Sequence, residues 1–197
     1  MLQKIAYKIA TYSAARSWID SSKIPWCQYA LEKQLGALFF LALCVLLAII
    51  TSKWLELFTF VSVLYIFRQR LGGWHTKHFW SCQLVGLGVV IVSIKIVGPM
   101  LEALPSYAVL IINLIALFVA FFIRPVYPTS AHFSQEIRQA NSKQKNRHLL
   151  ILAILQCLSV AITLNRFLIY SCLGLTIAVA SVMLEYMIKR GEKNEKV

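Results

Sequence analysis

Residues 68–82, RQRLGGWHTKHFWSC, form the densest polar stretch between two apolar runs and hold the side chains best suited to chemistry. A thiol attacks a carbonyl carbon only as the thiolate, so Cys82 needs a base or a positive charge beside it. His75 is a candidate base. Three further residues of the stretch could supply positive charge that favours the thiolate: Arg68, Lys77 and His78.

The spacing of His75 and Cys82 limits how these two side chains can meet. Seven residues are two helical turns, which would put both on one face but about 10 Å apart along the axis. They can therefore approach each other only if the chain bends between them or if His75 precedes the helix. Gly72 and Gly73 permit a sharp bend of this kind, because glycine adopts backbone angles that other residues avoid.

The same side chains leave other interpretations open. His75, His78 and Cys82 have the spacing H-x2-H-x3-C, which suits zinc, but a fourth ligand is not apparent and no metal or other cofactor is predicted. Loop histidines are also common at membrane interfaces. A histidine–cysteine pair by itself is therefore weak support for catalysis.

The composition points to a membrane protein. Of the 197 residues, 59% are hydrophobic and 14% charged, and the mean hydropathy is +0.69; soluble domains are about 45–50% apolar and about 25% charged. We predict an all-α, polytopic helix bundle in a single domain, residues 1–197. About six apolar segments are expected, several of them shorter than the ~20 residues that span a bilayer comfortably: 35–51, 54–67, 83–98, 107–123, 149–164 and 167–188.

The N-terminal segment, residues 1–23, has the pattern of an amphipathic helix at the membrane interface. Its apolar residues recur at helical spacing with lysines between them; the alternative is an ordinary helix packed on the bundle. The apolar residues are Leu2, Ile5, Ala6, Ile9 and Tyr12. The five cysteines have no framework spacing, so a disulfide scaffold is not expected.

The basic residues predict the orientation. If the N-terminus lies inside and the segments alternate, most of the 20 lysines and arginines fall on the cytoplasmic side, as the positive-inside rule requires. Both termini, residues 68–82 and a basic loop at 124–148 are then cytoplasmic. The net charge of +12 fits anionic lipids as partners better than nucleic acid.

Four residues at fixed spacing resemble the signature of the accessory gene regulator B (AgrB) family: Arg68, Gly73, His75 and Cys82. Residues 123–128, IRPVYP, are similar to the family's proline-containing loop after the fourth apolar segment. The amphipathic start, the length and the basic loops agree as well, so the resemblance covers nearly the whole chain. One position departs from the family, since Thr76 stands where alanine is common.

The resemblance implies a cysteine endopeptidase of the cell membrane that processes quorum-sensing peptide precursors. The expected substrate is a short peptide with an amphipathic helix, a signal core and an acidic C-terminal tail. Cys82 would attack the carbonyl between core and tail with His75 as base, and a cysteine or serine of the core would then close a thiolactone or lactone. A homodimer is also implied.

Six residues are predicted to support the site or bind substrate: Arg68, Gly73, Lys77, Arg124, Lys143 and Lys145. The basic residues of the loop 124–148 could steer an acidic tail, or could be basic for topology alone. Arg68 could orient the thiol, bind a substrate carboxylate or anchor a lipid headgroup. Two alternative functions stay open, a small peptide exporter using Lys95 and Glu185 as pathway charges and a scaffold without catalysis.

Overall fold

The computed structural model describes residues 2–73, 79–126, 135–162 and 164–194. Within these ranges the regular structure is helical, apart from one isolated bridge between Gly72 and Val126. The all-α prediction is therefore confirmed. The helices are α1 (Leu2–Ala15), α2 (Ile24–Thr51), α3 (Trp54–Leu71), α4 (Phe79–Val92), α5 (Gly98–Glu102), α6 (Ser106–Phe122), α7 (Gln135–Ala161) and α8 (Asn165–Asn194).

The six predicted apolar segments lie almost wholly within these helices, but their number as membrane spans is not confirmed. Among the described residues, three helical spans are long and apolar enough to cross a membrane: Ser21–Thr51, Trp80–Glu102 and Asn165–Arg190. α6 is apolar but shorter. α3 carries charges near both ends, and only the second half of α7 is apolar.

The predicted loop 124–148 is helical from Gln135 onward. Hydropathy identified only the apolar end of this helix, from residue 149. Its polar first half is rich in glutamine, lysine and arginine, which are good helix formers even though they are not apolar. α7 therefore begins fourteen residues before the segment that hydropathy detects.

α1 packs on α2 through small residues. Ala6 and Ala10 are buried in this contact, since small side chains let two helices approach closely. Ile5, Ile9 and Tyr12 stay exposed. The predicted apolar stripe is thus divided between a packed edge and an exposed edge, and a position at the membrane interface remains a prediction for the exposed edge.

The core of the bundle is the contact between α3 and α8. A Cβ atom added to Gly174 of α8 would lie 2.7 Å from the carbonyl oxygen of Phe60 and 3.1 Å from the Cβ of Val63. The two helices therefore approach at a point where only glycine fits. Phe60, Phe67 and Tyr170 are fully buried on either side of this point.

A buried polar cluster joins α6, α7 and α8 in the interior. The Gln156 amide donates to Asn113 Oδ1 at 3.1 Å and to Ser171 Oγ at 2.8 Å, and Asn113 Nδ2 donates back to Gln156 Oε1 at 2.8 Å. Polar side chains inside a membrane bundle are stable only when they are paired, so these bonds fix the register of three helices.

The glycine contact between α3 and α8 gives a direct test of the packing. Gly174→Ala should lower the free energy of unfolding by about 1–3 kcal/mol, because its methyl group would be forced against the Phe60 carbonyl. Thermal unfolding of the detergent-solubilised protein measures the change. Gly88→Ala is the matched control, since a Cβ there has no neighbour within 4 Å, and it should stay within about 1 kcal/mol of the parent. Equal effects at the two positions would contradict the close α3–α8 contact.

Candidate functional site

The end of α3 carries the bend that the sequence predicted. Gly72 and Gly73 have φ angles of 76° and 134°, in the region that side-chain-bearing residues rarely adopt. The Gly72 N–H still donates to the Arg68 carbonyl at 3.0 Å, which closes the last turn of α3. The chain therefore turns sharply away from the helix immediately before the segment that contains His75.

Gly72 is held from outside by residues 123–126, which we call the strap. The Val126 N–H donates to the Leu71 carbonyl at 2.8 Å, and Gly72 and Val126 form a parallel bridge. A side chain at Gly72 would overlap the Val126 carbonyl oxygen. Gly73 lies against α8, since a Cβ there would be 2.5 Å from Ser181 Oγ. Both glycines are thus required by close neighbours as well as by their backbone angles.

The strap is itself fixed by α7 and α8. Lys145 Nζ donates to the Phe121 carbonyl at 2.8 Å and to the Ile123 carbonyl at 2.9 Å. The Tyr186 hydroxyl donates to the Arg124 carbonyl at 2.9 Å. Lys145 is only 2% exposed, and burial lowers the pKa of its ammonium from the usual value. The predicted role of Lys145 as a surface contact for an acidic tail does not fit this placement.

Cys82 lies in the first turn of α4 as described and is half-buried. Arg68, in the last turn of α3, interacts electrostatically with Cys82. Burial lowers the pKa of the Arg68 guanidinium, and the negative charge of a Cys82 thiolate raises it. Two of the four signature residues thus interact electrostatically in the structure. A guanidinium near a thiol favours the negatively charged sulfur.

Three predicted site residues, His75, Lys77 and His78, lie outside the described residues. The distance between the proposed base and the thiol, and the alternative zinc site, are therefore not tested. Gly73 and Phe79, the described residues that flank this segment, lie at the end of α3 and the start of α4. The segment must connect these two points.

α4 carries Cys82 on a layer formed with α2. The Phe39 and Trp80 rings meet edge to face at 5.7 Å, and Gln83 Nε2 donates to the Gly36 carbonyl at 3.4 Å. Gln83 is thus bonded to α2. Asn113 of α6 is bonded to Gln156 in the bundle interior, far along α6 from its junction with the strap.

Two exposed basic residues, Arg124 and Lys143, lie at the same end of the bundle as the glycine bend. Arg124 belongs to the strap, and Lys143 lies on the outer side of α7, two residues before the buried Lys145. Arg70 Nη1 donates to Asn141 Oδ1 at 3.1 Å, which joins the end of α3 to α7. Arg124 and Lys143 therefore keep the exposure that binding an acidic tail requires.

Sequence reasoning missed the strap, Tyr186 and Ser181 as parts of the site. One signal could have indicated the buried position of Lys145. Residues 141, 145, 149, 152 and 156 recur at helical spacing, so the inner face of α7 extends from the apolar segment back through Lys145. No comparable pattern marks the contact of Ser181 with Gly73, which depends on the tertiary packing of α8.

The electrostatic interaction between Arg68 and Cys82 predicts an effect on thiol reactivity. Arg68→Gln should slow alkylation of Cys82 by iodoacetamide at neutral pH by up to about tenfold, because a positive charge that acts on the sulfur is lost. The rate is measured by mass spectrometry of the Cys82 peptide in the detergent-solubilised protein. Lys95→Gln serves as the control, since Lys95 is an exposed lysine thirteen residues beyond Cys82 in the helical span Trp80–Glu102. An unchanged rate in Arg68→Gln would contradict the proposed electrostatic role.

Comparison with known proteins confirms the family resemblance. The model of the family described as Accessory gene regulator B matches residues 2–184, nearly the whole chain. Neither a curated protein nor a solved structure matches the sequence. The chain therefore belongs to the accessory gene regulator B family, and it is a membrane protein with a role in processing the autoinducer of that system.

Proposed function

We propose that the protein is a membrane-embedded cysteine endopeptidase that removes the C-terminal tail of an autoinducing peptide precursor and supports cyclisation of the product. The observation that carries the proposal is the electrostatic interaction of Cys82 with Arg68, which lies four residues before the bend at Gly72 and Gly73. The bend directs the chain out of α3 two residues before His75, and Cys82 follows in the first turn of α4.

In the first step the Cys82 thiolate attacks the carbonyl carbon between the signal core and the tail. His75 takes the thiol proton as base and returns it to the leaving amine as acid, so the tail departs with a free amino terminus. The core stays attached to Cys82 as a thioester. Arg68 contributes by stabilising the sulfur while it is negative, before the attack.

In the second step a cysteine or serine of the core attacks the same thioester carbonyl. Its proton passes to the Cys82 sulfur, the ring closes as a thiolactone or a lactone, and the enzyme thiol is restored. Exchange of one thioester for another is nearly neutral in free energy, whereas hydrolysis is strongly downhill. Exclusion of water is therefore a requirement of the reaction, and the half-buried position of Cys82 supports it.

The acidic tail fits the exposed cations near the site. Arg124 and Lys143 lie at the same end of the bundle as the glycine bend, and opposite charges raise the rate at which a substrate is captured. The supporting role predicted for Lys77 stays a prediction. Anionic lipids at this face and a homodimer are likewise expected from charge and from the family resemblance.

We place this end of the bundle, with both termini, on the cytoplasmic side of the cell membrane. The basic side chains at the ends of α3 and α8, on the strap and on the first half of α7 support this orientation under the positive-inside rule. At the opposite end Arg166 is paired with Glu56 at 2.9 Å. The orientation requires α3, α6 and α7 to cross the membrane together with the three longer spans.

The exporter alternative receives no support from its proposed pathway charges. Glu185 is paired with Lys189 at 3.1 Å, one turn further along α8 near the strap. Lys95 lies in the π-helical turn Ser93–Val97, next to Ile94, whose carbonyl accepts a bond from Lys53 at the start of α3. The two charges are thus near opposite ends of the bundle and do not form a pair.

The catalytic assignment predicts the result of two substitutions. Cys82→Ala and His75→Ala should each abolish cleavage of a co-expressed precursor while the protein still reaches the membrane, because the nucleophile or its base is missing. Immunoblots of tagged precursor and tagged enzyme measure both. Cys157→Ala, at an exposed cysteine of α7, should cleave normally. Normal cleavage by either Cys82→Ala or His75→Ala would refute the proposed mechanism.

The basic face predicts a dependence on salt and on tail charge. Lys143→Gln should raise the KM for the precursor a fewfold at low ionic strength without changing kcat, since a capture charge is lost. Initial rates in proteoliposomes from low to high salt measure the effect. Lys95→Gln, at an exposed lysine near the opposite end, is the control. A precursor whose tail carries amides in place of carboxylates should be insensitive to Lys143→Gln. If it is equally sensitive, Lys143 does not act on the tail.

A further inference from the structure

We infer that Lys145 is a positioning residue, which holds the strap against Gly72 and so fixes the start of the segment that carries His75. This inference rests on the proposed function. It assigns Lys145 a structural role within the protein and not a contact with the substrate.

The end of α6 needs a partner for its carbonyl groups. A helix leaves its last four carbonyls without internal donors, and Ile123 departs from α6 in an extended conformation. Lys145 Nζ supplies hydrogen bonds to two carbonyls there, those of Phe121 and Ile123. An ammonium group has three donors, and its charge suits the negative end of a helix.

The burial of Lys145 makes this contact specific. Lysine is almost never fully buried unless it is paired, and here the whole side chain is 2% exposed. Lys143, two residues earlier on the same helix, is exposed. Desolvation of an ammonium is unfavourable, so the two hydrogen bonds have to be maintained for the position to be tolerated. The end of α6 is thereby held at a fixed point on α7.

The strap connects the end of α6, which Lys145 holds in place, to the end of α3. Three residues beyond Ile123, the last residue that Lys145 contacts, Val126 donates to the Leu71 carbonyl and pairs with Gly72. These are backbone contacts, so they constrain the path of the chain and not only its side chains. The constrained Gly72 is followed by Gly73, which lies against Ser181. His75 is two residues further along the sequence.

Two additional bonds brace the same junction. The Tyr186 hydroxyl donates to the carbonyl of Arg124, in the middle of the strap. Asn141 accepts a bond from Arg70 and stands one turn before Lys145 on the same face of α7. α7 therefore holds the end of α3 directly through Asn141 and indirectly through Lys145. Loss of Lys145 should make the strap more mobile while the helix bundle stays folded.

A positioning role differs measurably from general stabilisation. If Lys145 only stabilised α6, its loss would lower the amount of folded protein but leave the kinetics of the folded molecules unchanged. If it positions the His75 segment, the folded molecules should lose kcat while KM changes little. The base would also act less effectively on the thiol, so the pH dependence of Cys82 alkylation should change.

The main experiment compares Lys145→Met with Lys95→Met, a change at an exposed lysine near the opposite end of the bundle, in the purified full chain, reconstituted in proteoliposomes with the precursor peptide. Lys145→Met should lower kcat by about ten- to a hundredfold, the range expected when catalytic groups are misplaced by about an ångström. Lys145→Arg should recover part of the loss. In Lys145→Met the pH profile of Cys82 alkylation should approach that of His75→Ala. A kcat and a pH profile equal to those of Lys95→Met would overturn the inference.

A second variant covers the case in which Lys145→Met fails to fold. Tyr186→Phe removes one hydroxyl from an exposed side chain and should lower kcat a fewfold. Tyr65→Phe is the control, since Tyr65 of α3 is exposed to a similar degree, 45% against 41% for Tyr186. If Lys145→Met does not reach the membrane and Tyr186→Phe has the kcat of Tyr65→Phe, the inference is rejected.

A readout without proteolysis separates this inference from the proposed function. Hydrogen exchange measured by mass spectrometry should rise at residues 71–73 and 123–126 in Lys145→Met but not in Lys143→Met. Normal cleavage by Cys82→Ala would refute the peptidase mechanism while the exchange still reports on the strap. A catalytically dead Cys82→Ala combined with unchanged exchange in Lys145→Met would refute the inference alone.

Discussion

The site depends on one constraint, the pairing of main-chain polar groups at the point where α3 stops. Inside a membrane protein each unpaired N–H or C=O group costs several kcal/mol, and a helix that ends there exposes several of them. At the end of α3, the Gly72 N–H donates to the Arg68 carbonyl of the same helix, and the Leu71 carbonyl accepts a bond from the N–H of Val126 in the strap. The two glycines make this possible, because a side chain on Gly72 would displace the strap.

The parts of the site come from two differently packed layers. The end of α3 is built into the core with α6, α7 and α8, which the buried cluster of Asn113, Gln156 and Ser171 locks in register. Cys82 belongs to α4, which packs on α2. Gly73, the described residue that precedes the segment containing His75, thus belongs to the core layer, and Cys82 belongs to the other. A peptide that lies between the layers would contact both.

Much of the fold was accessible from the sequence because lipid burial leaves a strong local signal. The apolar runs located the helices, and the paired glycines predicted the bend at the end of α3. The link between Arg68 and Cys82 was also anticipated, since both belong to a signature read as a unit. The His75–Cys82 geometry stays a prediction, because His75 lies outside the described residues.

What the sequence did not reveal depends on contacts between distant segments. Lys145 was counted with the basic residues of a loop, because charge indicates orientation without indicating which carbonyl a lysine faces. Its helical phase with the apolar half of α7 does indicate an inner position, but a buried lysine is credible only once its partners are known. Those partners are the last carbonyls of α6, more than twenty residues away. A lysine that the sequence assigns to topology therefore also pairs backbone carbonyls of another helix, a contact that no side-chain motif records.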